Sequence, residues 1–184
     1  VAAGTAFLTS FLSGDNEESP LGSTDATVTT STEATEPVGP PLYLDLAAAH
    51  EWNKGVGDQL DEVIDDDSST AWTSTGSTGL LVTLEDPAQL AHVVITPGSG
   101  ADSKVTSTVK LFAFDSTDPT SLSEGIELGE VEFSARSIAH SIEKPANAPD
   151  DAQSVVIWVE NVTSSDSDED DPTMQIAEVE MAGW

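Results

Sequence analysis

The sequence predicts an all-β protein built as an antiparallel β-sandwich, and three observations lead there. Short β-branched and aromatic runs recur throughout residues 42–184. The gaps between them hold turn-formers such as PGSGADS and DSTDPTS. No stretch carries the three-turn apolar stripe of an amphipathic helix. Runs of Val, Ile, Thr and aromatics bounded by Gly, Pro, Asp and Ser suit strands joined by tight turns. About eight to ten such segments, roughly 10–15 residues apart, suit two packed sheets.

The expected strands follow in order. LYLDL (42–46) alternates and opens the domain; GLLVTL (79–84) and AHVVIT (91–96) come next. VTSTVKLFAF (105–114) is a long β-branched run, followed by IELGEVEF (126–133), SIAHSIE (137–143), SVVIWVENV (154–162) and MQIAEVEMAG (174–183). EWNKGVGDQLDEVI (51–64) has room for one helical turn at most. Trp72 is assigned to the core between the sheets, and so by default is Trp158.

Two segments precede this domain. Residues 1–12, VAAGTAFLTSFL, are apolar and uncharged. A bilayer span needs about 20 apolar residues, so the segment is read as the outer end of a transmembrane helix that begins upstream. The alternative is an amphipathic segment packed on the domain. Residues 13–41 are dominated by Ser, Thr, Pro, Gly and acids, a composition that cannot bury enough apolar surface to fold. They are read as an extended linker, leaving 42–184 as one monomeric domain.

The charge balance excludes whole classes of partner. There are 34 Asp and Glu against 5 Lys and Arg, a net charge of −29. Nucleic acid is excluded, because phosphate binding needs clustered cations, and anionic lipid headgroups would be repelled. Such a surface suits a solvated extracytoplasmic domain in a divalent-rich medium, or adaptation to salt. The absence of cysteine removes disulfides, thiolate metal sites and thiol catalysis. The three histidines are scattered, and neither a G-x-S-x-G elbow nor a phosphate loop occurs. The chain is therefore not expected to be an enzyme.

Two segments carry candidate metal chemistry. VIDDDSSTAW (63–72) gathers Asp65, Asp66 and Asp67 with Ser68, Ser69 and Thr70, and the closing strand presents Glu178 beside Ala177. Hard oxygens from a loop and a distant strand suit Ca²⁺, which takes six to eight oxygen ligands. DSDEDD (166–171) does not make an EF-hand, since its sixth position is Asp171 rather than Gly and its twelfth is Ala177 rather than Glu.

Two further clusters are candidates for ligand binding. Trp52 lies in HEWNKG, where His50, Trp52, Asn53 and Lys54 could offer an aromatic plate with hydrogen-bonding flanks. Alternatively, Trp52 closes the bottom of the sandwich. An open Trp52 would favour sugar binding, and a buried one a protein-docking surface. Arg136 and His140, four residues apart in a predicted strand, would share one face and could hold an anion or sugar hydroxyls, or pair with surface acids.

The run PLYLDLAAAHEWNKGVGDQLDEVIDDDSSTAWTS resembles the opening of discoidin-like, galactose-binding-like jelly-roll modules, with their acidic D-G-D/N-x-x-T-x-W turn. GLLVTLEDPAQLAHVVIT, SVVIWVENV and MQIAEVEMAG resemble the later strands, the last matching a closing I-x-E-V-x-x-x-G. The likeness spans residues 42–184 and departs from the pattern at Asp66, which replaces the turn glycine. It implies a jelly roll with a structural Ca²⁺ held by the Asp65 carboxylate, the Asp67 carbonyl, Thr70, the Ala177 carbonyl and the Glu178 carboxylate. Within the family the chain is similar to extracytoplasmic modules at the C-terminus of actinobacterial MviN-type lipid II flippases and serine/threonine protein kinases. That implies a binding or sensing domain on the outer face of the plasma membrane, directed at a cell-wall glycan or precursor. The alternative is a docking domain for an envelope protein.

Overall fold

A computed structural model describes residues 39–52, 60–134, 136, 139–143, 149–166 and 171–184. The described residues belong to one compact body. The proposed membrane segment (1–12) and nearly all of the proposed linker (13–41) lie outside them. Among the described residues no helix is long and apolar enough to cross a membrane.

Among the described residues, ten strands form two five-stranded antiparallel sheets. In chain order they are β1 (Leu42–Tyr43), β2 (Leu46–Glu51), β3 (Trp72–Ser74), β4 (Thr78–Ala88), β5 (Leu90–Pro97), β6 (Val105–Phe114), β7 (Ile126–Ser134), β8 (His140–Glu143), β9 (Ala152–Ser164) and β10 (Met174–Gly183). The first sheet runs β1-β10-β5-β8, with β3 also on β10; the second runs β2-β4-β9-β6-β7. The expected sandwich is present, and two of the predicted strands, 105–114 and 174–183, match their observed bounds.

LYLDL is not one strand. Leu42 and Tyr43 pair with Gly183 and Ala182 in the first sheet, whereas Leu46 pairs with Leu84 in the second. The chain crosses between layers at Leu44 and Asp45, so the alternation at 42–46 joins two half-patterns belonging to different sheets. The expected helical turn is a single 3-10 turn at Asp61–Val63.

The core lies between the sheets. Leu80, Val82, Ile157, Val109 and Leu111 from the second sheet meet Ile95, Ile176 and Met181 from the first, with Trp72 buried among them as expected. A second apolar layer covers the outer face of the second sheet, where Trp52, Leu81, Phe114 and Val156 cluster and Trp158 packs partly buried against them. This layer explains the unbroken apolar runs LLV and VVI: both faces of β4 and β9 are covered, so alternation is lost. Trp158 therefore points outward, not into the core, and its indole N–H donates to Glu160 at 3.0 Å.

Gly183 is required by a close approach. A Cβ there would overlap the Gln89 carbonyl oxygen, whose strand-like exchange with Trp184 (N–H to O, 3.0 Å each way) closes the end of the body. Gly183→Ala is expected to destabilise the protein by about 1–3 kcal/mol, read as a lower urea midpoint at unchanged slope. An unchanged midpoint would show that this junction can open without cost.

Candidate functional site

β10 organises the site. Its first residues pair with β3 (Ile176 opposite Trp72) and its last with β1 (Gly183 opposite Leu42). On that side the stretch between is faced by the 3-10 turn and the acidic bend that follows it. On the other side the register with β5 shifts between Ile176 and Glu178, a bulge that leaves Ile176 and Ala177 both fully buried. Bulges of this kind re-aim side chains, and the residue re-aimed here is Glu178.

The bend is held by its own side chains. Asp65 Oδ1 accepts the Asp67 N–H at 2.9 Å, and Asp67 Oδ1 accepts the N–H and hydroxyl of Ser69 at 2.9 and 2.7 Å. The Ser69 bonds hold the Asp67 carboxyl below the usual carboxylate range. The Thr70 hydroxyl lies 2.8 Å from the Asp67 carbonyl, 3.2 Å from the Glu62 carbonyl and 3.2–3.3 Å from both Asp65 oxygens. One hydroxyl proton cannot satisfy all of these acceptors, so the spot is rich in oxygen and short of protons. Asp66 occupies the left-handed region at φ 60°, as its place in the motif implies.

Glu178 faces this bend. Its carboxylate accepts the Asp66 N–H, while burial and the charges of Asp66, Asp65 and Glu180 raise its pKa from 4.5 to about 7. Oε2 is buried without a hydrogen-bond partner. A bare carboxylate oxygen facing the charges of Asp66 and Asp65 is where a hard cation would be drawn. Among the described residues no three His, Cys, Asp or Glu side chains converge for a metal. A cation here would draw on Asp65 and Glu178, with Thr70 and the carbonyls of Asp67 and Ala177 as further oxygens.

An open groove of about 490 Å³ runs from the bend along β10, lined by Asp45, Ile64, Asp66, Glu85, Glu178 and Glu180 among others. It adjoins a hollow of about 240 Å³ whose lining includes Tyr43, Asp45, Glu85, Asp86 and Trp184. Tyr43 and Trp184 are 76% and 42% exposed, large apolar rings left open to solvent. The sequence reading passed over both rings. The available signal was an aromatic at each end of the domain, brought together once the first and last strands pair.

The predicted ligand residues do not form one site. Trp52 is 6% exposed and stacks on Phe114 with ring centroids 6.0 Å apart, so it closes the outer face of the second sheet. His50, on β2, has its Nδ1 buried without a partner. Asn53 and Lys54 lie outside the described residues. Arg136 and His140 do not share a strand: Arg136 sits in a turn after β7 and donates from Nε to the Ser103 carbonyl at 2.8 Å, whereas His140 begins β8. β2 and β7 are opposite edges of the second sheet, about 19 Å apart at strand spacing. A single sugar cannot bridge them.

No protein-family model and no curated protein matches the sequence. Solved structures do match in shape. Truncated AlyQ with CBM32 and alginate lyase domains has a TM-score of 0.59 at 19% identity, over 79% of this chain and 34% of that one. The AlyQ CBM32 in complex with 4,5-unsaturated mannuronic acid gives 0.57 at 19% identity, covering 76% and 97%. The family 32 module of C. perfringens NanJ in complex with galactose gives 0.57 at 14%, covering 78% and 99%. The fold is the galactose-binding-like jelly roll. This chain spans about a third of truncated AlyQ but nearly the full length of the two isolated modules. In this jelly roll the acidic bend and the last strand meet, as the motif spacing implies.

The folded state favours a proton on Glu178. Because its pKa of about 7 exceeds its ordinary 4.5, the stability from this proton is complete below about pH 4.5 and lost as pH rises through 7. In chelator, unfolding free energy is expected to fall between pH 5 and 8, and Glu178→Gln to flatten that fall. Equal slopes for the two proteins would contradict the burial described. Asp66→Gly removes both a nearby charge and a left-handed aspartate, and is expected to return the Glu178 pKa towards 4.5 in an NMR titration.

Proposed function

We propose that this jelly roll is a non-catalytic glycan-binding module of a membrane-tethered cell-envelope protein, acting outside the cytoplasm on a cell-wall glycan or its precursor. The observation that carries the reading is the hollow rimmed by Tyr43 and Trp184, where exposed rings stand beside Asp45, Glu85 and Asp86. Rings that stack on a sugar face, with carboxylates that accept hydroxyl protons, are the two elements a small glycan site needs. The fold adds support, since similar modules are described with galactose and 4,5-unsaturated mannuronic acid bound. The histidines His50, His92 and His140 stand on three different strands, which suits binding rather than acid–base catalysis. The envelope setting rests on the apolar residues 1–12, the acidic linker and the resemblance to flippase and kinase modules.

A second reading, docking onto an envelope protein, is favoured by the burial of Trp52, which removes one sugar platform. Titrating the full chain with muropeptides and neutral oligosaccharides while following Trp fluorescence and amide shifts separates the two. Saturable shifts at Tyr43 and Trp184, lost in Tyr43→Ala, are expected. A flat response to every glycan would leave docking as the function.

The same proposal places a structural Ca²⁺ at Asp65, Asp67, Thr70, Ala177 and Glu178, joining the bend to β10. It is supported by the bare Glu178 Oε2 and the oxygens around Thr70. Ca²⁺ at a hundred times its Kd would stabilise the fold by about 2.7 kcal/mol. Calorimetry should show a higher Tm with Ca²⁺ than with chelator at pH 8, and no difference for Glu178→Gln. A Tm insensitive to Ca²⁺ in the unaltered protein would mean that hydrogen bonds alone hold the bend.

A further inference from the structure

The groove along β10 has a chemical preference that the glycan reading leaves open. Its two adjoining parts are lined by six carboxylates, Asp45, Asp66, Glu85, Asp86, Glu178 and Glu180, and among the described residues neither lining contains Lys, Arg or His. The described Lys and Arg side chains are engaged elsewhere. Lys104 pairs with Asp166 at 2.6 Å, Lys110 with Glu160 at 3.0 Å, and Arg136 donates to the Ser103 carbonyl. At the Tyr43–Trp184 end, whose lining shares no residue with the proposed Ca²⁺ ligands, an acidic sugar would face Asp45, Glu85 and Asp86 with no described cation and would be repelled.

The aromatic rim is built rather than incidental. The Trp184 indole N–H donates to the Gly39 carbonyl at 2.9 Å, and its backbone exchanges two hydrogen bonds with Gln89. Gly183 admits that close approach because it has no Cβ. The ring is therefore held in place before any ligand arrives, which lowers the ordering cost of binding. Tyr43 is placed by the pairing of β1 with β10, opposite Ala182. One anchored ring and one exposed ring beside carboxylates form a receptor for an ammonium group carried on a compact, partly apolar frame. The cation meets the π-face while its protons bond the acids.

We infer that the Tyr43–Trp184 groove binds a glycan bearing free amino groups and rejects uronate-bearing glycans. The inference rests on the glycan reading above and names the ligand class of that site. Aminated sugars satisfy all of its elements: a ring face to stack, hydroxyls for the carboxylates, and an ammonium to offset their charge. Full acetylation of the amines would remove the last of these and weaken binding by about tenfold, the scale of one desolvated cation–π contact.

The test is calorimetric titration of the full chain at physiological salt with four probes: a glucosamine tetramer, its N-acetylated form, a galacturonate tetramer and a lysine tetramer. The glucosamine tetramer is expected to bind, the acetylated form about tenfold more weakly, and the other two not measurably. Tyr43→Ala and the pair Glu85→Gln/Asp86→Asn should each weaken the glucosamine tetramer about tenfold. Tyr43→Phe, which keeps the ring, should recover most of the affinity that Tyr43→Ala loses. Because the whole surface is acidic, Glu130→Gln/Glu132→Gln on β7 removes the same charge far from the groove and should leave the affinity unchanged.

Several results would overturn the inference: equal affinity for the acetylated tetramer, binding of the galacturonate tetramer, or equal losses from the near and remote charge pairs. Lysine tetramer binding as tightly as glucosamine would do so in favour of a basic protein segment. Acetylated or neutral glycans that bind with Tyr43→Ala unaffected would sink this groove and leave the glycan-binding reading standing. Silence towards every glycan would sink both.

Discussion

The pairing of β10 is the constraint on which the rest depends. This strand has β5 along one side and shares the other between β3 at its start and β1 at its end. Neither short strand could persist alone, since three residues of β3 and two of β1 make too few ladder bonds to offset their ordering entropy. Both are held because β10 is anchored in the core through Ile176, Val179 and Met181. The gap between them is where the acidic bend meets Glu178. The far end, where β1 lies against the final residues, is where Tyr43 and Trp184 meet. The acidic bend's partner and the aromatic rim are thus placed by one strand.

The acidic composition has a different meaning at different positions. Most carboxylates stand in solvent, where a high net charge favours solubility and is screened within about 10 Å at ordinary salt. Glu178 is the exception: partial burial and the neighbouring Asp65, Asp66 and Glu180 make its ionisation costly. The cost is local, and a proton relieves it. The bend is therefore coupled to its medium, while among the described residues the core between the sheets holds no titrating side chain and is not.

The fold was more legible in the sequence than the site. Isolated β-branched runs such as VTSTVKLFAF carry their own boundaries, because both neighbours are turn-formers. The motif from Asp65 to Trp72 and the closing Ile176–Glu178 segment announced the bend against the last strand by their residue types alone. What stayed hidden depends on how layers stack. LYLDL alternates across a change of sheet, so no local pattern could mark the crossing at Leu44 and Asp45. Trp52 sits in a polar stretch, yet a second apolar layer on the outer face of β4 and β9 takes its ring. Tyr43 and Trp184 are separated by nearly the whole domain, and only the antiparallel return of the chain makes them neighbours. Arg136 and His140 show the reverse: a spacing that implies a shared face is cancelled by a turn between the strands.

The bond from the Trp184 indole to the Gly39 carbonyl has a mechanical consequence. Any pull transmitted along the polypeptide into residue 39 acts at the corner where β1 lies on β10. With only Leu42 and Tyr43 in register there, few ladder bonds resist such a load. Tyr43 would leave the aromatic rim before the sandwich itself was strained, so tension on the leading segment would open the rim while the body stayed folded.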